Sequence, residues 1–449
     1  MLSAQDNEIL CRVGPGTPMG TLFRQYWIPA LRSDEVLTPD SPPVRIKLLG
    51  EELIGFRTTS GSIGLIQNSC PHRGASLFFG RNEEEGLRCV YHGWKFDTTG
   101  ACVDMPSEPA ESNFKNKVRA KAYPCHERNG VIWAYMGPRE VPPPLPDLEA
   151  NILNTDPEKV RIMHRPCNWM QGIEGEMDTI HAAFLHWGFD EPGEPGSLSY
   201  YHFKNRDQAR FTAKETEFGT AYGCYRPAED DTYYWRIGMV FFPFFAMQAN
   251  GPMGPEIKMN AYVPMDDEHT LQWEIFVSVG ENARMRQLRF PLNRGTEPVT
   301  TSMGSVFIPQ GTGWHDRWNI DQNAANDYKV DREAQKSKAS YTGIPGIRQQ
   351  DMAVTESMGT IYDRTHEHLG TSDSMIIRSR RRWIAMAKAV FERGEIPPGV
   401  DEPMMYRQRS GEVILPRSAD WWEGSKHLRE QWAVPEPIAT EVPASGGGA

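Results

Sequence analysis

The chain has 449 residues and a net charge of −11, with 59 Asp and Glu against 48 Lys and Arg. That length points to roughly two to four domains and to a core that needs no disulfide staples. The acidic balance argues against nucleic acid as the main partner, and no run approaches the ~18 apolar residues of a membrane span. The opening Met1 to Gly20 lacks a basic stretch followed by an apolar one, so no secretory signal is expected. Seven cysteines (Cys11, Cys70, Cys89, Cys102, Cys125, Cys167 and Cys224) are an odd number scattered along the chain. They read as thiols in a reducing, cytoplasmic setting rather than as a disulfide framework.

Residues 1–25 form a lead, with a short helix expected over Asn7–Val13 that ends at the Gly14-Pro15-Gly16 turn. Residues 26–140 carry short alternating apolar stretches, Val44–Leu48, Glu52–Phe56, Ile63–Ile66 and Gly130–Tyr135, punctuated by Gly, Pro, Asn and Ser. That pattern predicts a small antiparallel β domain. Residues 141–150, opening Val141-Pro142-Pro143-Pro144-Leu145-Pro146, read as a stiff linker. Residues 151–433 form a mixed α+β region. Helices are expected over Asn168–His186, Arg348–His368 and Ser372–Arg393, and strands over Val240–Ala249 and Leu271–Val279. The Gly- and Ser-rich tail, 434–449, is expected to be unstructured. No internal repeat is apparent.

The β domain carries Cys70-Pro71-His72 and, further on, Cys89-Val90-Tyr91-His92. Each is a Cys/His pair beside a glycine, Gly74 or Gly93, which lets the backbone come close to a bound group. Two thiolates on one iron and two imidazoles on the other make the Rieske [2Fe-2S] arrangement. Structural zinc also uses mixed Cys/His sets, more often with C-x-x-C and H-x₃₋₅-H spacing, so the C-x-H and C-x-x-H pairs favour the cluster. Cys125-His126 is a further pair, but with the quartet complete it reads as structural.

A second constellation follows the linker: Asp178, His181 and His186. On a helix Asp178 and His181 share a face, and His186 joins them only if the helix loosens. Two imidazoles and a distant carboxylate suit a mononuclear non-haem Fe(II) site with open positions for O₂. Two histidines in an apolar helix are also common as ordinary core residues; the upstream cluster motif favours the metal reading. His164, His366 and His368 have no partners at ligand spacing.

The motifs Cys70-Pro71-His72-Arg73-Gly74-Ala75, Cys89-Val90-Tyr91-His92-Gly93-Trp94-Lys95, and Glu174-Gly175 through Asp178, His181 and Phe184-Leu185-His186 carry a resemblance. The chain resembles the large (α) subunit of Rieske non-haem iron ring-hydroxylating oxygenases, within them the phthalate 4,5-dioxygenase-like group, over roughly residues 20–430. The resemblance implies an α+β fold: a Rieske β domain, then a catalytic domain with an antiparallel sheet flanked by helices, helix-grip-like. It implies a third iron ligand, best matched by Asp351, with Asp363 and Asp331 as fallbacks. It also implies that Asp178 bridges a cluster histidine of one subunit to an iron-ligand histidine of the next, hence a homo-oligomer, a trimer or a stacked hexamer. Stabilising a helix dipole would be the bland role for that Asp.

The implied function is the terminal oxygenase of an aromatic ring-hydroxylating dioxygenase, adding O₂ to a phthalate-like or other aromatic carboxylate to give a cis-dihydrodiol. The alternative is a Rieske monooxygenase such as an aromatic O-demethylase. No G-x-G-x-x-G fingerprint is present, so electrons are expected from a separate NAD(P)H-dependent reductase. A carboxylate substrate calls for an arginine in an apolar pocket. The candidates are Arg236, Arg210 and Arg226, Arg236 slightly favoured by its place before an apolar strand. The run Phe241-Phe242-Pro243-Phe244-Phe245 reads as a core strand or a pocket wall, and the basic run Arg378, Arg380, Arg381, Arg382 as a helix face or a docking surface.

Overall fold

The computed structural model describes residues 1–109, 111–189, 192–195, 197–279 and 287–434, with the backbone alone for Ser199. Beyond Val434, the tail lies outside these residues. The chain opens with two helices rather than one. The first, α1 (Ala4–Cys11), starts three residues before the expected one because Ser3 caps it, its side chain accepting the Asp6 N–H. The second, α2 (Pro18–Arg24), is capped by Thr17, with proline at its first position, where no N–H is needed.

The small domain follows. Strand β1 (Trp27–Arg32) opens it, and the predicted meander is present as β2 (Val44–Leu48), β3 (Glu51–Arg57) and β4 (Ile63–Gln67). Four short strands, β5 (Arg81–Glu83), β6 (Gly86–Arg88), β7 (Lys95–Phe96) and β8 (Cys102–Asp104), make a second antiparallel sheet. The pair β9 (Cys125–Arg128) and β10 (Val131–Tyr135) then returns, and β10 lies antiparallel to β1. The Ser33 N–H donates to Gly130 O at 3.0 Å, closing the β1–β10 pairing at its open end. A local core of Ile54, Phe56, Ile66, Leu77, Leu87 and Phe96 fills the small domain. Trp27, Leu31 and Trp133 belong instead to the large core that continues into the rest of the chain.

The proline stretch from Val141 runs extended, and Trp27 Nε1 donates to Pro143 O at 2.6 Å. After α3 (Glu149–Leu153), strand β11 (Val160–Arg165) joins an eight-stranded antiparallel sheet. Between β11 and the next strand come α4 (Trp169–Met177) and α5 (Leu198–Lys204). The sheet then runs through β12 (Arg210–Glu215), β13 (Gly219–Pro227), β14 (Thr232–Phe241), β15 (Phe245–Met247), β16 (Glu256–Pro264) and β17 (Thr270–Ser278), in the spatial order β11-β17-β16-β15-β14-β13-β12. A two-residue ladder, β18 (Val299–Thr300) with β19 (Val306–Phe307), and α6 (Arg332–Lys336) precede the helices α7 (Ile347–Glu356) and α8 (Ser374–Arg393). Strand β20 (Gly411–Pro416) pairs with the first half of β14. Helix α4 lies over β14–β16 and α8 over β12–β13, while α1 and α2 pack on α8. Gly172 allows the close seat of α4: a Cβ there would sit 2.4 Å from the Tyr262 ring of β16.

Three expected elements are shorter than the pattern suggested. The helix expected over 168–186 begins as read, with Asn168 as its cap, but stops at Met177. The Asp178 carboxylate accepts the Ile180 N–H at 2.9 Å, an Asx turn that takes the amide away from the helix. One 3₁₀ turn, His181–Ala183, follows. The helix expected over 348–368 stops at Glu356, because Gly359 turns the chain with φ +92°. The Gln171 side chain then takes the carbonyls of Thr355 and Gly359. The strand expected over 240–249 is split into β14 and β15 by Pro243, which cannot donate to a ladder. Phe241, Phe242, Phe244 and Phe245 are all buried in the core there. The helix expected over 372–393 is present as α8, ended by Gly394 in the left-handed region.

Candidate metal centres and the cavity between them and the sheet

Two loops of the small domain repeat one hydrogen-bond pattern. The Cys70 N–H donates to Ala75 O and the Gly74 N–H to Cys70 O; the Cys89 N–H donates to Trp94 O and the Gly93 N–H to Cys89 O. Gly74 and Gly93 have φ of +77° and +79°, which an L side chain rarely adopts. Each loop thus bends round its own cysteine and presents a histidine beside it. The His72 and His92 rings lie 4.4 Å apart and His72 stacks on Trp94. Both thiols are buried, and burial pushes Cys70 up to about 11. A thiol so placed becomes a thiolate only against a strong local positive charge, which bound iron supplies. His72 Nδ1 is buried with no hydrogen-bond partner in the protein. The two thiols, the two imidazoles and this orphaned nitrogen fit a [2Fe-2S] group held by Cys70, Cys89, His72 and His92.

The second centre forms where the end of α4 meets α7. The loosened turn after Asp178 lets His181 and His186 face the same carboxylate. Asp351 Oδ1 lies 3.1 Å from His186 Nε2 and 3.5 Å from His181 Nε2. The far nitrogens are both held, His186 Nδ1 to Gln350 Oε1 at 2.7 Å and His181 Nδ1 facing Asp178 Oδ2 at 3.5 Å. This leaves both Nε2 atoms free for a metal, as ligating histidines are normally set. The other Asp351 oxygen accepts from Arg348 Nη1 at 3.0 Å. Burial opposes the charged forms of both partners. The Asp178 and Asp351 carboxylates nonetheless hold His181 up at about 10, and the histidines and Arg348 keep Asp351 well below the usual carboxylate range. A cation at this point takes the place of the His181 proton, and the donor set is then two imidazole nitrogens and one carboxylate, the set used by non-haem ferrous sites. The fallback carboxylates lie elsewhere: Asp331 caps α6 and Asp363 is exposed in a turn with Thr365.

A cavity of about 1140 Å³ opens from this triad over the sheet. Its wall carries cations that sequence reasoning missed. Arg161 of β11 and Lys258 of β16 line it, beside Arg348. All three pair with Glu274 of β17, which lies behind them, and Arg348 also pairs with Glu176 at 2.7 Å. Arg161 and Lys258 thus share Glu274, while Arg348 is also matched by Glu176 and Asp351. The signal in the sequence was a set of charged residues inside apolar strands, Arg161 and Glu274 being directly opposed in register. Of the arginines singled out from sequence, Arg236 does line the cavity, but its charge is taken by Glu412 at 2.7 Å and its other donors by Thr179 and Ala249 O. Arg226 is buried against Cys224 and does not line it. Arg210 is corrected: it stands exposed on the edge strand β12, outside the cavity.

The basic run of α8 is mostly internal bracing rather than a docking face. Arg380 is buried between Glu174 and Glu367, Arg382 donates to Gly219 O and Thr216 O, and Arg378 to Ala213 O. Cys125 and His126 sit on β9, away from both centres, as structural residues. His164 does have partners, which spacing could not reveal: it lies with His269 and His315.

A Cys₂His₂ cradle on a small β domain, followed by a two-histidine, one-carboxylate centre over an antiparallel sheet, defines an iron-dependent oxygenase that carries its own electron-transfer cluster. Comparison with known proteins agrees. Residues 26–124 match the Rieske [2Fe-2S] domain and residues 134–441 the family described as LigXa C-terminal domain like. The chain is 45% identical to the 3-chlorobenzoate-3,4-dioxygenase oxygenase subunit of Comamonas testosteroni, over 94% of this chain and 97% of that one. It is 35% identical to the phthalate 4,5-dioxygenase oxygenase subunit of Pseudomonas putida, over 97% of each. The fold is also that of dicamba monooxygenase in its dicamba-bound crystal structure, with a TM-score of 0.54 at 16% identity, covering 83% of this chain and 100% of that one. The chain belongs to the Rieske non-haem iron oxygenases.

Proposed function

We propose that this chain is the terminal oxygenase of an aromatic ring-hydroxylating dioxygenase whose substrate is an aromatic carboxylate. The observation that carries the substrate class is the cationic stretch of cavity wall formed by Arg161 and Lys258, which share one carboxylate, Glu274, while Arg348 is also matched by Glu176 and Asp351. An anionic group on the substrate balances it, and the ring then lies toward His181 and His186. The 3-chlorobenzoate and phthalate enzymes named above are the relatives that suggest this class.

Bound at their centres, the cluster would supply electrons singly and the mononuclear iron would activate O₂ beside the ring. The protein's own groups do the positioning. Arg348 fixes one oxygen of Asp351, so that the other faces the metal position. Gln350 and Asp178 set the tautomers of His186 and His181. The side chain of Asp178 is 27% exposed and lines the cavity. Phe184 near it and Val90 and Tyr91 on the second cluster loop are large exposed apolar groups. We read these as two halves of a contact between neighbouring subunits, with Asp178 bridging a partner's cluster histidine to His181, in a trimer or stacked hexamer. Electrons enter from a separate protein, in keeping with a separate NAD(P)H-dependent reductase. Among the described residues no helix is long and apolar enough to cross a membrane, and none of the seven cysteines is paired in a disulfide.

A single turnover tests the reading. Reduced, iron-loaded protein is exposed to labelled O₂ with benzoates, phthalates and methoxybenzoates, and the products are weighed. Two labelled oxygens and two added hydrogens on a carboxylated ring support it. Loss of a methyl group, or one labelled oxygen, places the chain with the monooxygenases instead. Turnover of uncharged rings with no preference for acids overturns the role given to Arg161 and Lys258.

A further inference from the structure

Outside the cavity, three histidines from distant parts of the chain converge. His164 stands on β11, His269 in the turn between β16 and β17, and His315 in the loop after β19. A nitrogen from each lies within 4.8 Å of the others, and none of the three lines the cavity. The His269 and His315 rings are 3.9 Å apart and His164 lies 5.5 and 5.7 Å from them. The outer nitrogens of two of them are held in the way that orients ligating imidazoles. His164 Nδ1 bonds to Asn319 Oδ1 at 2.8 Å, and His269 Nδ1 faces Asp266 Oδ1 at 2.9 Å. Asp266 is anchored in turn by the Glu268 and His269 N–H groups and by Lys47 of β2 at 2.8 Å. What remains is unsatisfied: His164 is 8% exposed and its Nε2 has no partner, nor has the buried Nδ1 of His315.

His164 and His269 donate their Nδ1 protons to Asn319 and Asp266, so their Nε2 atoms are both left as acceptors with no hydrogen bond to make to each other. We propose that His164, His269 and His315 bind a zinc-class divalent cation, with Asp266 as the orienting carboxylate behind His269. Tetrahedral bonds of about 2.1 Å place ligand nitrogens about 3.4 Å apart, so the rings close inward by an ångström or so on binding. The position suits a clasp. The hairpin turn that carries His269 also touches the small domain, where the Leu49 and Gly50 N–H groups donate to Pro264 O and Met265 O. A cation there ties β11, the β16–β17 turn and the 315 loop together at the seam between the two domains. His269 and His315 are 26% and 33% exposed, which leaves a way in for the ion and room for a water as fourth ligand.

The test uses the full protein with cluster and mononuclear iron in place. It is equilibrated with Zn(II), passed over a chelating resin and analysed for both metals. The expected result is three irons and one zinc per chain, with the zinc in an imidazole-rich environment by X-ray absorption and the Tm raised by zinc and lowered again by EDTA. The double variant His269→Gln/His315→Gln keeps three irons and retains at least tenfold less zinc. Three results overturn the proposal: no zinc retained by the wild type, equal zinc in the variant, or zinc gained only as iron is lost, which places it at His181, His186 and Asp351. The absorption measurement on the wild type decides the matter if the variant does not fold.

Discussion

Asp351 shows what one residue contributes to a centre and how little of that is local in sequence. Its carboxylate meets His186 and His181 across the fold, and α7 alone, with its mixed polar sequence, would mark it as a surface acid. The histidines were legible from spacing; Asp351 was legible only through resemblance, and Arg161 and Lys258 only as charges inside apolar strands, because their partners sit on other strands. Replacing Asp351 with Ala should empty the mononuclear site while leaving the visible spectrum of the cluster unchanged. Iron analysis should fall from three to two per chain, and retention of all three would remove Asp351 from the ligand set. His202 supports a second prediction. It is buried beside the cavity with neither ring nitrogen bonded, and burial, aided by Arg236, Arg226 and Arg206, lowers its pKa to about 2. Unfolded, it takes a proton near pH 6.5; folded, it stays neutral. The stability from keeping it neutral is complete above pH 6.5 and is lost as pH falls toward 2. Between pH 6.5 and 5 this one group should cost about 2 kcal/mol. His202→Asn should flatten that part of the denaturation profile, and parallel profiles would show that the ring is hydrated in solution.

At the scale of elements, the end of α4 decides the geometry of the iron centre. The apolar spacing of 168–186 favours one long helix, and that reading fails at Asp178, where a side chain competes with the helix for a backbone amide. The turn also gives His186 the freedom to swing back beside His181. Asp178→Asn keeps an oxygen for the Ile180 N–H, so the turn, the three irons and the cluster spectrum should survive while turnover falls at least a hundredfold. Asp178→Ala removes that acceptor and should also lose mononuclear iron. Equal iron loss in both variants would reduce Asp178 to a charge-dependent support of His181. The split of the expected strand at Pro243 has the same cause as the broken helix. Periodicity reports which side of an element is apolar, and a single proline or Asx side chain then sets where the element stops.

Across the whole molecule, the division into a β domain and a larger α+β domain was legible in composition and punctuation, but the allegiance of the ends was not. The N-terminal helices belong with α8 and α4: Leu10, Cys11, Val13, Met19, Leu22 and Phe23 are fully buried, and Trp169 Nε1 donates to Leu10 O. At roughly 1.5–3 kcal/mol for each fully buried large side chain, that interface is worth as much as a typical domain's net stability. Deleting residues 2–25 should abolish cooperative unfolding of the catalytic domain and its iron binding. A truncated protein that kept three irons and the parent Tm would show the interface to be dispensable.

The Ser33–Gly130 hydrogen bond has one more consequence. It means that the chain departs from the catalytic body and re-enters it at adjacent points, so that everything from 34 to 129 is, topologically, the loop of a single hairpin. Lengthening a loop costs only about 0.6 kcal/mol per doubling. An electron-carrying module can therefore be spliced into a turn at small expense to the host. It travels with its host as a cassette whose two ends share one socket, and a graft of a different redox module must match that socket and the seam at Lys47, Leu49 and Gly50.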